Sequence, residues 1–220
     1  MICFADNDVL LKLAACDLLE EAVFVLGSTR SEVYVLPTAK YKIGHDRQKR
    51  LQGNYGSGGV ARTLEFIETV QEIASASDPE ERDLLLAIDG IDAGEEVLFA
   101  ATRGLDFYLV ATGDKRSLRA LALSSSCQPI YERMSGHIVC LEQIIARLIP
   151  HLGFEEVRSR VVPAVRSGNC DTSLKSAFGS GLQTTEDNVR RSISSRIVSL
   201  RSEVGELLIP DNDWITSGLV

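Results

Sequence analysis

Residues 91–122 read IDAGEEVLFAATRGLDFYLVATGDKRSLRALA, and this stretch decides the fold class. Asp92 or Gly94 opens a helix whose apolar stripe includes Val97, Leu98 and Ala101, and Gly104 closes it. Phe107 to Ala111 is an apolar run with the length and composition of a strand. Thr112, Gly113 and Asp114 form a turn at its carboxyl end, and Lys115 to Leu123 returns to helical periodicity. Helix, strand, turn and helix in succession are a unit of a parallel sheet. The expected class is therefore α/β, a parallel-sheet α/β/α sandwich.

The flanks extend the pattern. Ile2 to Ala5 is an apolar run halted at Asp6, after which Val9, Leu10, Leu13 and Ala14 recur at helical spacing. Glu32 to Leu36 (EVYVL) predicts a second strand that Pro37 stops, and His137 to Cys140 a further one leading into a helix over Leu141 to Leu152. QGNYGSGGV, residues 52–60, reads as a flexible glycine-rich segment, Ala61 to Ile73 as a helix, and Asp78-Pro79-Glu80-Glu81 as another helix start. After Gly153 the Ser- and Gly-rich stretch VRSRVVPAVRSGNCDTSLKSAFGSG reads as irregular. A capping box at Thr184 and Asp187 then introduces a helix from Glu186 to Leu208. Its near-heptad stripe of Val189, Ile193, Ile197, Leu200, Val204 and Leu207 suits a docked helix or a homodimer contact. The expected organisation is an α/β domain over 1–153 and, over 154–220, an irregular linker with a C-terminal helix.

The 220 residues are 45% hydrophobic and 25% charged, which excludes a disordered, collagen-like or purely coiled-coil chain. Five cysteines without CxxC or zinc spacing point to reduced thiols rather than a disulfide framework. The opening MICFADND has neither the basic start of a secretory signal nor a long apolar run, so a cytoplasmic chain without a membrane span is expected. A net charge of −8 argues against a surface that is basic throughout. The charge is unevenly spread: residues 64–96 hold eleven acids against Arg82 alone, whereas Lys40 to Arg50 carries a net +4 from Lys40, Lys42, Arg47, Lys49 and Arg50 against Asp46. A nucleic-acid backbone would be met at the second segment, with Lys115, Arg116 and Arg119 beside Asp114 adding to it.

Asp6 and Asp114 both follow apolar strands, and side chains leaving the carboxyl ends of neighbouring parallel strands meet at one rim. Asp92, Glu95 and Glu96 open the helix before the second of these strands and reach the same rim. Gathered carboxylates repel one another unless a cation neutralises them. Mg²⁺ or Mn²⁺, hard ions that bridge carboxylate oxygens to phosphate, suits that set. The chemistry this implies is phosphodiester hydrolysis. Each carboxylate also has a plainer reading as a helix cap or a first-turn acid.

FADNDVLLKLA, IDAGEEVLFAAT and YLVATGDKRSLRAL resemble the opening strand, the acidic helix start and the T-x-D turn of PIN domains over about residues 1–150. The resemblance implies a Mg²⁺- or Mn²⁺-dependent nuclease acting mostly on RNA, with Asp6, Glu95 and Asp114 catalytic and Asp6, Asp92, Glu95 and Asp114 as the metal set. Asp92 and Glu96 are register alternatives to Glu95, and Asp8 takes the place of a supporting polar residue. Lys40, Lys42, Arg47 and Lys115 are the expected substrate contacts. One departure stands out: LPTAKYKIG has Lys40 and Lys42 where the family carries a further Glu, so either Glu65 or Glu68 substitutes or the site is depleted. Two alternatives follow, a non-catalytic PIN-like binding module and a phosphatase similar to the haloacid dehalogenases, whose D-x-D resembles Asp6 and Asp8 with Lys115 as their lysine.

Overall fold

The computed structural model describes residues 1–46, 48–74, 78–168 and 170–210. In chain order they form β1 (Ile2–Ala5), α1 (Asn7–Ala15), α2 (Leu19–Val25), β2 (Val33–Val35), α3 (Ala39–Tyr41), a π turn (Lys42–Asp46) and α4 (Gln48–Ile67). There follow β3 (Gln71–Glu72), α5 (Pro79–Leu86), α6 (Ala93–Ala100), β4 (Tyr108–Ala111), α7 (Lys115–Leu123), α8 (Gln128–Met134) and β5 (Ile138–Val139). The chain continues through α9 (Leu141–Leu152), α10 (Phe154–Arg166), α11 (Thr172–Phe178) and α12 (Glu186–Val204).

The sheet is parallel throughout, in the order β3-β2-β1-β4-β5. Cys3, Phe4 and Ala5 of β1 and all four residues of β4 are buried. Successive strand residues face opposite ways, so both faces of the sheet are covered by helices, as parallel sheets require. β1 and β4 are hydrogen-bonded neighbours with Ala5 opposite Ala111, and the chain order reverses between them, which makes their carboxyl ends a topological switch point.

The glycine-rich stretch corrects expectation: residues 52–60 lie within α4, which breaks only at Gly56 (φ 74°, ψ 154°). A Cβ on Gly59 would stand 3.0 Å from Cα of Ala15, so the glycine lets α4 cross α1 at backbone contact. The helix expected over 61–73 ends at Ile67, and Gln71–Glu72 become the edge strand β3.

The irregular linker also requires correction. α10 and α11 are helices, because Val157, Val161 and Ala164 form a buried stripe that the serines conceal, and Asp171 caps α11 by accepting from the Ser173 amide at 2.6 Å. The cap of α12 is Thr185, accepting from the Asn188 amide, one residue later than expected. The α12 stripe of Val189, Ile193, Ile197, Leu200 and Val204 is buried against α7, α9 and α11 of the same chain, so the seam expected for a homodimer is occupied within the fold. Leu208 adds a parallel bridge to Ile138 at the β5 edge. Among the described residues no helix is long and apolar enough to cross a membrane.

Replacing Gly59 with valine should cost about 1–3 kcal/mol through overpacking against Ala15, read as a lower urea midpoint at unchanged slope. An unchanged midpoint would mean that α1 and α4 are not in backbone contact.

Candidate active site at the switch point

Asp6 is held by the sheet itself: its amide donates to the Ala111 carbonyl at 3.0 Å, directly after the last paired residue of β1. Asp114 follows β4 after the Thr112-Gly113 turn, in which Thr112 Oγ1 accepts from the Asp114 amide at 3.1 Å. A Cβ on Gly113 would lie 2.7 Å from an Asp8 carboxylate oxygen, so a larger residue in the turn would displace the Asp8 side chain from its present place. Asp92 and Glu95 form a capping box at the start of α6.

Asp6, Asp92, Glu95 and Asp114 line one cleft of about 420 Å³ together with Asn7, Asp8, Lys42, Arg50, Asn54 and Tyr55. The four predicted acids are thus gathered. Burial pushes the Asp6 carboxyl, 9% exposed, up to about 7, and the charge of Asp8 and then that of Asp114 add to the shift against the Asn7 and Asp8 amides. Burial likewise pushes Glu95, 5% exposed, up to about 8, followed by its bond to Asp92 and the charges of Asp92, Asp6 and Asp114. Asp92 moves the other way, held below the usual range first by that bond to Glu95, then by the Gly94 and Glu95 amides and the charge of Lys42. Glu95 therefore carries the proton of the Asp92–Glu95 pair.

Asp8 is engaged. It accepts from Tyr55 Oη at 2.8 Å and lies 2.5 Å from Lys12 Nζ, which also reaches Asp171 at 2.8 Å. Asp114 accepts from the Arg116 and Ser117 amides, and Asp92 from those of Gly94 and Glu95, so each caps its own helix while facing the cleft. Asn7 Oδ1 is buried and takes no hydrogen bond from any described residue.

Several predicted residues serve elsewhere. Glu96, 1% exposed, pairs with Arg82 and is a structural anchor for α5 and α6. Glu68 pairs with Lys40 at 3.0 Å, and Glu65 lines a separate cleft of about 620 Å³ with Arg30 and Arg62. Neither supplies the missing acid. Lys40 is accordingly tied to Glu68 and does not line the acidic cleft. Lys115 is tied to Glu142 at 2.6 Å, a buried carboxylate that also accepts from Ser173. Arg119 pairs with Glu203 of α12. Of the expected substrate contacts Lys42 lines the cleft, and Arg47 lies outside the described residues. Asn7, Asn54 and Tyr55 are cleft residues that sequence reasoning did not single out, Arg50 comes from the basic segment expected to meet a phosphate backbone, and the Asp8-Lys12 pairing was visible only as an i,i+4 spacing.

Among the described residues no group of three or more His, Cys, Asp or Glu side chains is placed to hold a metal ion. Mg²⁺ uses one or two carboxylates and completes its shell with water and phosphate oxygens, so it does not require three such side chains. The donors here suit it: all are oxygens, Asp6 and Glu95 are carboxyls raised chiefly by burial with neighbouring acids adding to it, and Asn7 Oδ1 is an unmatched acceptor in the same cleft.

The raised acids fix the sign of a pH effect. An acid whose folded pKa exceeds its unfolded value, about 4, binds more protons folded than unfolded between the two. The stability it contributes is complete below about pH 4 and is lost as pH rises through about 7 for Asp6 and about 8 for Glu95. With divalent ions chelated, Asp6→Asn should therefore gain roughly 1–3 kcal/mol over wild type between pH 5 and pH 8. Thermal unfolding across that interval checks it, and parallel profiles for the two proteins would contradict it.

No protein-family model, curated protein or solved structure matches this chain.

Proposed function

We propose that the chain is a PIN-like nuclease that hydrolyses phosphodiester bonds in RNA with the help of Mg²⁺ or Mn²⁺. The single observation that carries this reading is the gathering of Asp6, Asp92, Glu95 and Asp114 along one cleft at the switch point, with Asp6 and Glu95 buried there. Carboxyls that burial, with neighbouring acids adding to it, pushes up to about 7 and 8 inside a cleft are candidates for a functional site. The sheet order and the strand-Asp, helix-Glu, strand-Asp sequence pattern support the same reading.

Asp6 and Glu95 would hold the ion, with Asp92 and Asp114 adding charge at its shell. A bound divalent ion polarises the scissile phosphodiester and acidifies water beside it. The protein's own groups do the rest. Glu95 gives up the proton it shares with Asp92 when positive charge enters, so binding strengthens as pH rises toward about 8. Lys42 and Arg50 on the cleft wall draw in backbone phosphates that the acids alone would repel. Tyr55 and Lys12 fix Asp8 and neutralise it, which limits the repulsion that Asp6 feels.

Asp6→Asn, Glu95→Gln and Asp114→Asn should each lower Mn²⁺-dependent cleavage of single-stranded RNA by roughly 100-fold or more, since even residues that only orient ligands cost 10–100-fold. Glu96→Gln should cleave at the wild-type rate. Cleavage unaffected by Asp6→Asn would sink the assignment. Alanine at Lys42 and at Arg50 should raise KM for single-stranded RNA. Each should also flatten the salt dependence of KM, by about 0.7 in log-log slope for every phosphate that the removed cation had neutralised. Slopes equal to wild type would remove both residues from the substrate path.

A non-catalytic binding module is the second reading, favoured by the helix-capping engagement of Asp92 and Asp114 and by lysines where a further acid is expected. It predicts that Mn²⁺ neither raises the melting temperature nor supports cleavage. The phosphatase alternative is disfavoured because Asp8, its would-be acid, is tied to Lys12 and Tyr55, and Lys115 is tied to Glu142.

A further inference from the structure

Cys16 and Cys170 stand 154 positions apart in sequence and 4.0 Å apart from sulfur to sulfur. Cys16 ends α1, the helix that carries Asp8 and Lys12, and Cys170 immediately precedes Asp171, the cap of α11. The Lys12 bridge between Asp8 and Asp171 lies between the same two elements, so the thiols meet where the N-terminal helix and the C-terminal helices are already fastened by charge. A disulfide needs the sulfurs at roughly 2.05 Å, a closure of about 2 Å that side-chain rotation and a small backbone shift provide.

The two thiols are not equivalent. Cys16 is 1% exposed and Cys170 is 7% exposed, so Cys170 is the one an oxidant meets first. The hydrogen bond between them holds the Cys170 thiol below its ordinary range, aided by the Asp171 amide and the charge of Lys175, while Cys16 is held above. The more acidic thiol is the better attacking group at neutral pH. Cys3 and Cys140 lie in the core, where burial pushes both thiols up to about 12.

We propose that Cys16 and Cys170 are a redox-active dithiol that a hydroperoxide converts into a reversible disulfide, clamping α11 to α1. In the first step the Cys170 sulfur attacks one oxygen of the peroxide, the O–O bond breaks and, with hydrogen peroxide, water leaves, giving a sulfenic acid on Cys170. In the second the Cys16 sulfur attacks that sulfenic sulfur, the S–O bond breaks and a second water leaves. In sum two thiols and one hydrogen peroxide give one disulfide and two waters: the thiols lose two electrons and the peroxide gains them. A small thiol reverses the bond by exchange. The clamp is independent of the nuclease reading, since it needs only the packing of α1 against the segment before α11.

The test uses the reduced full-length chain, treated with hydrogen peroxide, alkylated and mapped by mass spectrometry without reductant. The expected product joins the peptide containing Cys16 to that containing Cys170, two hydrogens lighter than their sum, with Cys3, Cys127 and Cys140 still alkylated after unfolding. Closing so long a loop restricts the unfolded chain, so the melting temperature should rise by roughly 5 °C or more and return on adding dithiothreitol. Cys16→Ser should show neither change and should leave a Cys170 sulfenic acid that dimedone traps. Oxidation of Cys170 to a sulfinic acid in the wild-type chain without the cross-link, a cross-link to another cysteine, or both thiols left free would overturn the proposal.

Discussion

The parallel pairing of β1 with β4 is the contact on which the other features depend. The Asp6 amide closes that ladder on the Ala111 carbonyl, and the same bond sets where the Asp6 carboxylate begins. Three residues after Ala111 comes Asp114, so two acids are delivered to one rim by backbone geometry alone. α6 adds Asp92 and Glu95 from the side. Strands buried on both faces leave little water behind these acids, which is why burial raises Asp6 and Glu95 and their neighbours' charges add to the shift. Each acid then needs an opposing partner. Asp92 and Asp114 find theirs in helix-capping amides and Asp8 in Lys12, whereas the Asn7 and Asp8 amides beside Asp6 and the Asp92 amide on Glu95 do not offset the burial that raises both carboxyls.

The C-terminal helices take part in this balance. Asp171, at the head of α11, shares Lys12 with Asp8, and Ser173 shares Glu142 with Lys115. Both lysines lie next to the acidic rim in sequence, yet each is drawn to a carboxylate from the second half of the chain. Lys12 also meets Asp8 on the cleft wall, so this one cation is shared between the acidic rim and the C-terminal helices. α12 secures the arrangement by burying its apolar stripe on α7 and α9. Residues 154–210 thus pack into the same hydrophobic cluster as the sheet instead of hanging from it.

Much of the layout was legible because local signals agreed. Around Asp92 and Asp114, caps, a helical stripe and an apolar run all indicate the same elements, and the structure has the start of α6, β4 and α7 within a residue, whereas α6 ends at Ala100, well before Gly104. β3 was hidden because its two residues, Gln71 and Glu72, are polar and exposed, and only pairing with β2 makes them a strand. The glycines of α4 read as a loop because the reason for Gly59 is Ala15, a long-range contact that local propensity does not contain. Serines concealed the stripe of α10 in the same way. At the site, the acids were legible from their position after strands, whereas their partners were not. Tyr55 reaches Asp8, Glu68 takes Lys40 and Glu142 takes Lys115, all across long separations. Charge counting treated those lysines as free, and folding paired them.

The central claim is that Asp6 and Glu95 keep their protons until a divalent ion replaces them. Proton release on Mn²⁺ binding reports this directly, measured by titration calorimetry at pH 7 in buffers of different ionisation enthalpy. Carboxyls poised near 7 and 8 predict release of about one to two protons per ion bound, falling as pH is raised past 8 and diminished in Asp6→Asn. Binding without proton release, or no binding at all, would contradict the account.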